Sequence, residues 1–246
     1  IVFENGVLVV RVRDTFPSSD TPLYAVVDLL GAVSGVSLVP GAVPPAGAAT
    51  AHVEESEDES QDVGVVLSAF NGQLLSEQVV LSPDGLLAEH LDASGESLEG
   101  VVFGNGPIPH FEGGDAYFEV RIESVRSGQS DGLVIGVTVL RPASDWEVIT
   151  IADEVPESWS LGYNGQAHAP GLDGLVEISW NPSGLHLGDR VGLLVSADGQ
   201  VSALVNDRVV ARIPYLVPSS APLYPFVDLL GSARAVSLLP DAAPLV

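Results

Sequence analysis

The chain has 246 residues, with 33 acidic and 9 basic side chains, a net charge of −24 and a mean hydropathy of +0.33. The basic side chains are all scattered arginines, which do not form the basic surface that nucleic-acid binding requires, and an anionic membrane would repel so acidic a chain. The lack of cysteine excludes disulfides, thiolate catalysis and cysteine-ligated zinc, and the apolar content predicts a sizeable core.

The first 40 residues are repeated in part near the C-terminus. Residues 22–40, PLYAVVDLLGAVSGVSLVP, are identical to residues 222–240, PLYPFVDLLGSARAVSLLP, at 12 of 19 positions. Upstream of each copy a turn-forming pair, Asn5-Gly6 or Asn206-Asp207, separates two apolar runs, which predicts a β-hairpin. We therefore expect residues 1–40 to be the C-terminal strands of a preceding repeat, with a complete copy after them.

A spacer separates the two copies. It begins with GAVPPAGAAT at residue 41 and continues to an acidic run from Glu54 to Glu59. This composition is typical of a solvated linker, and an acidic docking tail is the alternative. The predicted domains are a repeat fragment at 1–40, a linker at 41–62, a complete domain at 63–241 and a tail at 242–246.

The complete copy reads as a series of short strands. In YFEVRIESVR, residues 117–126, apolar and charged side chains alternate, which predicts a half-buried strand. The other predicted strands are 65–70, 79–81, 86–91, 100–103, 133–139, 190–197, 201–205, 209–213, 223–229 and 235–239; residues 145–155 are expected to form a helical turn or a strand. Many short strands at about ten-residue spacing indicate an antiparallel β-sandwich. The predicted core comprises Phe103, Phe118, Val120, Ile122, Ile135, Val137, Val191, Leu193 and Val227.

Short motifs follow one another in order through residues 64–240. They are Phe70-Asn71-Gly72, Leu87-Ala88-Glu89, Gly100 to Phe103, Phe118 to Ile122, Leu133 to Thr138, Ser158 to Leu161, Gly188 to Leu193 and Tyr224 to Gly231. In this order, and with the last motif duplicated near the N-terminus, they resemble the neuralized homology repeat, or NHR, family. Three features depart from the family pattern: Glu89 stands where a basic residue is usual, Leu30 and Leu230 stand where an aromatic residue is common, and residues 128–133, GQSDGL, lack the usual tryptophan.

The resemblance implies an all-β fold, an antiparallel β-sandwich that is a SPRY-like NHR domain preceded by the C-terminal strands of a previous repeat. It also implies a domain that recognises short peptide motifs on partner proteins. The residues themselves offer no catalytic set, because there is no Cys, no Lys and no nucleophile elbow, and the five histidines are not spaced as metal ligands. We therefore predict no enzyme activity, no cofactor and no metal site.

Loops at one end of a sandwich are where binding residues usually lie, and a loop aromatic is a plausible anchor. Residues 163–171, YNGQAHAPG, are predicted to form a long exposed loop, and a turn follows Trp180. The candidate partner-binding residues are Trp146, Tyr163, Asn164, His168 and Trp180. Trp159, in a strand motif, is predicted to be core, and Asp228 is predicted to fix a turn or to accept backbone N–H groups.

The leading functional hypothesis is a non-catalytic protein–protein interaction module of a tandem NHR protein, with protein partners and a cytoplasmic location. The alternative is a structural docking repeat in a large cytoskeletal assembly, centriolar or ciliary. A carbohydrate-binding sandwich is a third class and would require aromatic platforms. A peptide bound in the loops would favour the first hypothesis, and an extended footprint over strand faces would favour the second.

Overall fold

The computed structural model describes residues 2–4, 7–10, 66–94, 99–143, 146, 149–172, 174–218 and 221–244. The chain divides into two compact units, residues 1–63 and 64–246. In the first unit, β1 (Val2–Glu4) and β2 (Val7–Val10) pair antiparallel with Glu4 opposite Val7, which confirms the predicted hairpin. The predicted strands in residues 22–40 and the linker at 41–62 lie outside the described residues.

The second unit is built from two antiparallel sheets, which confirms the predicted all-β sandwich. Its described strands are β3 (Phe70–Leu75), β4 (Val79–Leu81), β5 (Leu87–His90), β6 (Val101–Gly104), β7 (Ala116–Val125), β8 (Val134–Thr138), β9 (Ser158–Gly162), β10 (Gln166–His168), β11 (Val176–Glu177), β12 (Arg190–Val195), β13 (Gln200–Val205), β14 (Arg208–Leu216), β15 (Tyr224–Asp228) and β16 (Ala233–Leu238). The first sheet has the order β11-β10-β9-β8-β15-β6-β3, and the second has the order β14-β13-β12-β7-β16-β5-β4.

Most predicted strands are confirmed, with their ends shifted by up to three residues. The strand predicted at 65–70 is wrong for residues 66–69, because the amides of Ser68 and Ala69 bond to the side chain of Asn105 and the strand begins only at Phe70. The long loop predicted at 163–171 is also wrong, since β9 and β10 form a hairpin there. Within 145–155, Ala152–Glu154 form a short 3-10 helix.

The main core lies between the two sheets and follows from the alternation of side chains along each strand. Phe118, Val120 and Ile122 of β7 point into it, opposite Ile135 and Val137 of the first sheet. Burying one such side chain contributes about 1.5–3 kcal/mol to stability. All nine predicted core residues are buried.

A second apolar cluster covers the outer face of the first sheet. Phe103 belongs to this cluster rather than to the main core, because its neighbour Val102 faces inward. Ala152 and Val155, from the connection between β8 and β9, pack against Phe103 and Phe226. That connection therefore runs across the sheet instead of projecting into solvent.

The antiparallel pairing sorts the connections into two ends of the sandwich. We call one end the upper end; its described connections are residues 76–78, 91–94, 99–100, 126–133, 163–165, 178–189, 206–207 and 229–232. The lower end carries residues 82–86, 105–115, 169–172 and 196–199. The β8–β9 connection starts and finishes at the lower end but reaches the upper end in between, where Ala152 meets β15.

Candidate protein-interaction site

Asp228, the last residue of β15, anchors the upper end. Its side chain is fully buried, with one carboxylate oxygen accepting from Ala152 N at 2.9 Å and the other from Leu230 N at 3.1 Å. This confirms the predicted role of Asp228 in accepting backbone N–H groups. Burial raises the pKa of Asp228 to about 7, although both hydrogen bonds favour the carboxylate.

Tyr163 holds the turn between β9 and β10 against the 3-10 helix. It has a positive φ of 51° and is 9% exposed, and its hydroxyl donates to Asp153 Oδ1 at 3.0 Å. Burial raises the pKa of Tyr163 above its usual value, so the hydroxyl stays protonated and remains a donor. Tyr163 thus fixes the position of the turn.

Arg126 ties three upper-end connections together. Its side chain is buried, and its Nε and Nη2 atoms donate to the carbonyl oxygen of Asp92 at 3.0 and 2.8 Å. Its Nη1 atom donates to the carbonyl oxygens of Leu229 and Gly231 at 3.0 and 2.6 Å. Arg126 is not among the residues predicted from the sequence, where the one indication is its position at the end of the alternating strand 117–126.

The five predicted partner-binding residues do not form one surface. Trp180 is only 8% exposed and belongs to the main core, and Trp146 packs edge-on against Phe103 with ring centroids 5.7 Å apart. His168 is half-buried at the lower end of β10. Tyr163 and Asn164 share the upper-end turn, and of the five only Asn164 is exposed. Trp159 lies in the main core, as predicted.

Two features of the upper end face solvent. A cleft of about 310 Å³ is lined by Asn164, Gly165, Gln166, Glu177 and Ile178. In the β11–β12 connection, Leu187 is 68% exposed, more than any other large apolar side chain of the described residues.

Acidic side chains dominate the upper end. Besides the buried Asp228, those in its described connections and adjoining strand ends are Glu77, Asp92, Glu99, Asp131, Asp153, Glu154, Glu177, Asp189 and Asp207. Three of the basic side chains there are occupied, since Arg126 bonds to carbonyls, Arg190 pairs with Glu119 and Asp207, and Arg234 pairs with Glu89 at 2.8 Å, whereas Arg208, at the start of β14, is exposed. The surface at this end therefore has an excess of negative charge.

The outer face of the second sheet carries a separate polar cluster. The hydroxyl of Tyr117 donates to Glu119 Oε1 at 3.1 Å, and Arg190 Nη1 lies 3.3 Å from Glu119 Oε2. Burial raises the pKa of Glu119, while Tyr117 and Arg190 oppose that rise. Gly192 lies directly against the ring of Tyr117, where a Cβ would overlap it. The cluster is a closed ion-pair network with no adjoining cleft among those described.

In the part of the chain that the structure describes, no group of three or more histidine, aspartate or glutamate side chains is placed to hold a metal ion. Within that same part, no helix has the length and apolar character needed to cross a membrane.

The sequence profile of the Neuralized family matches residues 70–240. The chain belongs to the Neuralized family. Its fold is similar to the crystal structure of the Neuralized NHR1 domain of Drosophila melanogaster, with 15% identity over 70% of this chain and 96% of that one and a TM-score of 0.52. The solution structure of the NHR domain of Neuralized, from the same fly, matches at 16% identity over 73% and 94% of the two chains, with a TM-score of 0.51. A search of the curated proteins gives no match.

The Neuralized assignment confirms the family that the motifs resemble, and the structure shows the local partners of Glu89 and Leu230, two residues that depart from its pattern. Glu89, where a basic residue is usual, forms the ion pair with Arg234. Leu230, where an aromatic residue is common, packs into the second apolar cluster beside Phe226. Both residues therefore have local partners within the domain.

Proposed function

We propose that this chain is a non-catalytic interaction module of a tandem Neuralized-repeat protein, and that it binds partner proteins through the loops at the upper end of its sandwich. The Neuralized domain is a known protein-interaction fold. The observation that carries the proposal is the set of buried anchors, Asp228, Tyr163 and Arg126, beneath those loops.

Anchored loops favour binding because little conformational entropy remains to be lost when a partner docks. Exposed side chains lie at the same end of the sandwich, chiefly Asn164 in one turn and Leu187 in the β11–β12 connection. An exposed leucine beside acidic groups suits an interface with an apolar centre and a polar rim.

The tandem arrangement is supported by what the duplicated residues do in the complete domain. Asp228 accepts from Ala152 N, and Gly231, at a φ of 86°, lies so close to the carbonyl of Asp131 that a Cβ would overlap it. The first copy has the same residues, Asp28 and Gly31. Their presence is expected if residues 22–40 also belong to a sandwich.

The same duplication favours the alternative function, a structural docking repeat in a large cytoplasmic assembly of the cytoskeleton, centriolar or ciliary. Such a role uses several repeats at once, and its contacts extend over strand faces. The two functions therefore differ in the footprint of the partner.

Crosslinking mass spectrometry on the native source tests the proposal, with carboxylate-reactive reagents because the chain has no lysine. We expect crosslinks from upper-end carboxylates to a short segment of one protein. Leu187→Asp should abolish them, whereas Leu140→Asp, at a leucine that is 41% exposed just beyond the lower end of β8, should not. Crosslinks spread over strand faces to several subunits would support the scaffold, and an equal effect of both variants would contradict upper-end binding.

A further inference from the structure

The cleft beside the β9–β10 turn is lined by Asn164, Gly165, Gln166, Glu177 and Ile178, so its side chains supply one carboxylate, two amides and no positive charge. Asn164 and Glu177 are exposed, and Gln166 is half-buried. No ion-pair partner of Glu177 is found among the described residues.

The backbone fixes the shape of the cleft. Gly165, between the side chains of Asn164 and Gln166, has a φ of 104°, which other residues rarely adopt. The amide of Ile178 donates to the carbonyl of Gly165 at 2.9 Å, which fixes the two walls of the cleft relative to each other.

We propose that this cleft binds an arginine or lysine side chain of the partner protein. A guanidinium or ammonium group donates several hydrogen bonds and accepts none, which complements the carboxylate of Glu177 and the amide oxygens of Asn164 and Gln166. The acidic upper end attracts a basic segment of the partner over a longer range. The inference rests on the proposed function, since it names the chemistry of the partner at the same end of the sandwich.

The test is selection of random 12-residue peptides, displayed on phage, against the full 246-residue chain at low ionic strength. We expect the selected peptides to share one arginine or lysine. Exchanging that residue for glutamine should weaken binding to the wild type about fivefold, the upper range for a solvent-accessible ion pair. The same exchange in the peptide should not weaken its binding to the Glu177→Gln variant, because residue 177 of that variant carries no charge to pair with.

Two further variants sharpen the result. Asn164→Asp adds a carboxylate to the cleft and should tighten binding, whereas Glu112→Gln, an exposed change at the lower end, should leave it unchanged. Each variant is first shown to keep the wild-type thermal midpoint, so that a loss of binding reports the cleft and not the fold.

The outcomes separate this inference from the proposed function. Selected peptides that need no basic residue, or that bind Glu177→Gln as tightly as the wild type, would overturn the cleft inference while leaving upper-end binding intact. If the selection yields no binding peptide but the upper-end crosslinks are present and are removed by Leu187→Asp, the cleft inference is also overturned and upper-end binding stands. Loss of the upper-end crosslinks themselves would overturn both.

Discussion

Asp228 and Ala152 are 76 residues apart in the sequence, yet the carboxylate of one accepts a hydrogen bond from the amide of the other at 2.9 Å. This bond joins the end of β15 to the connection that crosses the outer face of the first sheet. The same carboxylate also accepts from Leu230 N, so one side chain fixes two upper-end segments.

Asp228→Ala should lower the free energy of unfolding by about 2–4 kcal/mol, because two buried N–H groups lose their acceptor. Urea denaturation of wild type and variant measures the change. Asp241→Ala, at an exposed position, is the matched control and should change stability by less than about 0.5 kcal/mol. Unchanged stability in Asp228→Ala with lost partner binding would contradict the anchoring role.

The raised pKa of Asp228 predicts a pH dependence of stability. The folded state holds this proton up to a pKa of about 7, whereas the unfolded state releases it near 3.8. The stabilising contribution is therefore complete below about pH 4 and is lost as the pH rises through 7. Relative to Asp228→Asn, the wild type should lose up to about 4 kcal/mol of unfolding free energy between pH 4 and 8. A difference that is flat with pH would contradict this.

His90 should give a dependence of opposite sign. It is fully buried, its Nε2 atom has no hydrogen-bond partner, and burial, followed by the charge of Arg126, lowers its pKa. A histidine kept neutral in the folded state costs stability as the pH falls below about 6.5, where the unfolded chain binds a proton. Between pH 7 and 5 the wild type should therefore lose unfolding free energy relative to His90→Gln, as urea denaturation at the two pH values would measure.

His110→Gln serves as the control for His90, because His110 is exposed. Its unfolding free energy should follow the wild type across the same pH range. A parallel response of wild type and His90→Gln would show that this imidazole does not contribute to the acid sensitivity of the domain.

Gly136→Ala should destabilise the domain by about 1–3 kcal/mol, because a Cβ there would overlap the ring of Phe226. Phe226→Leu removes the ring and leaves the contact with Ser160 Cβ, at 2.8 Å, so the double variant should lose less than the sum of the two single changes. Gly184→Ala, where a Cβ meets nothing within 4 Å, is the matched control. Differential scanning calorimetry measures all four proteins, and strict additivity would contradict the contact.

Local sequence patterns predict the strands, whereas the paths of the connections between strands depend on tertiary contacts that these patterns do not contain. The alternation of apolar and charged side chains in β7 and the Asn206-Asp207 turn before β14 both indicate strands, because each pattern involves only residues that are close in the sequence. The hairpin of β9 and β10 was missed because Gly165 and Pro170 read as loop residues, although Ala167 and Ala169 are buried. Trp180 was placed in a loop correctly, but its burial depends on elements distant in the chain.

The candidate site shows the same division. Asn164 could be predicted as an exposed turn residue from the sequence around it. The acceptors of Arg126 could not, because they are backbone carbonyls of two other connections that are distant in the sequence. The position of Glu177 in the cleft could not be predicted either, because it depends on the pairing of β10 with β11, which places Glu177 opposite Gln166.

Pro214 lies within β14, the nine-residue strand at the edge of the second sheet. Proline has no N–H to offer an incoming strand, and the exposed Arg208 and Arg212 would oppose a like-charged neighbour along the same edge. This edge is therefore protected against fusion with the sheet of another domain. Copies of the domain held at high local concentration should stay separate folding units instead of merging into one continuous, aggregating sheet.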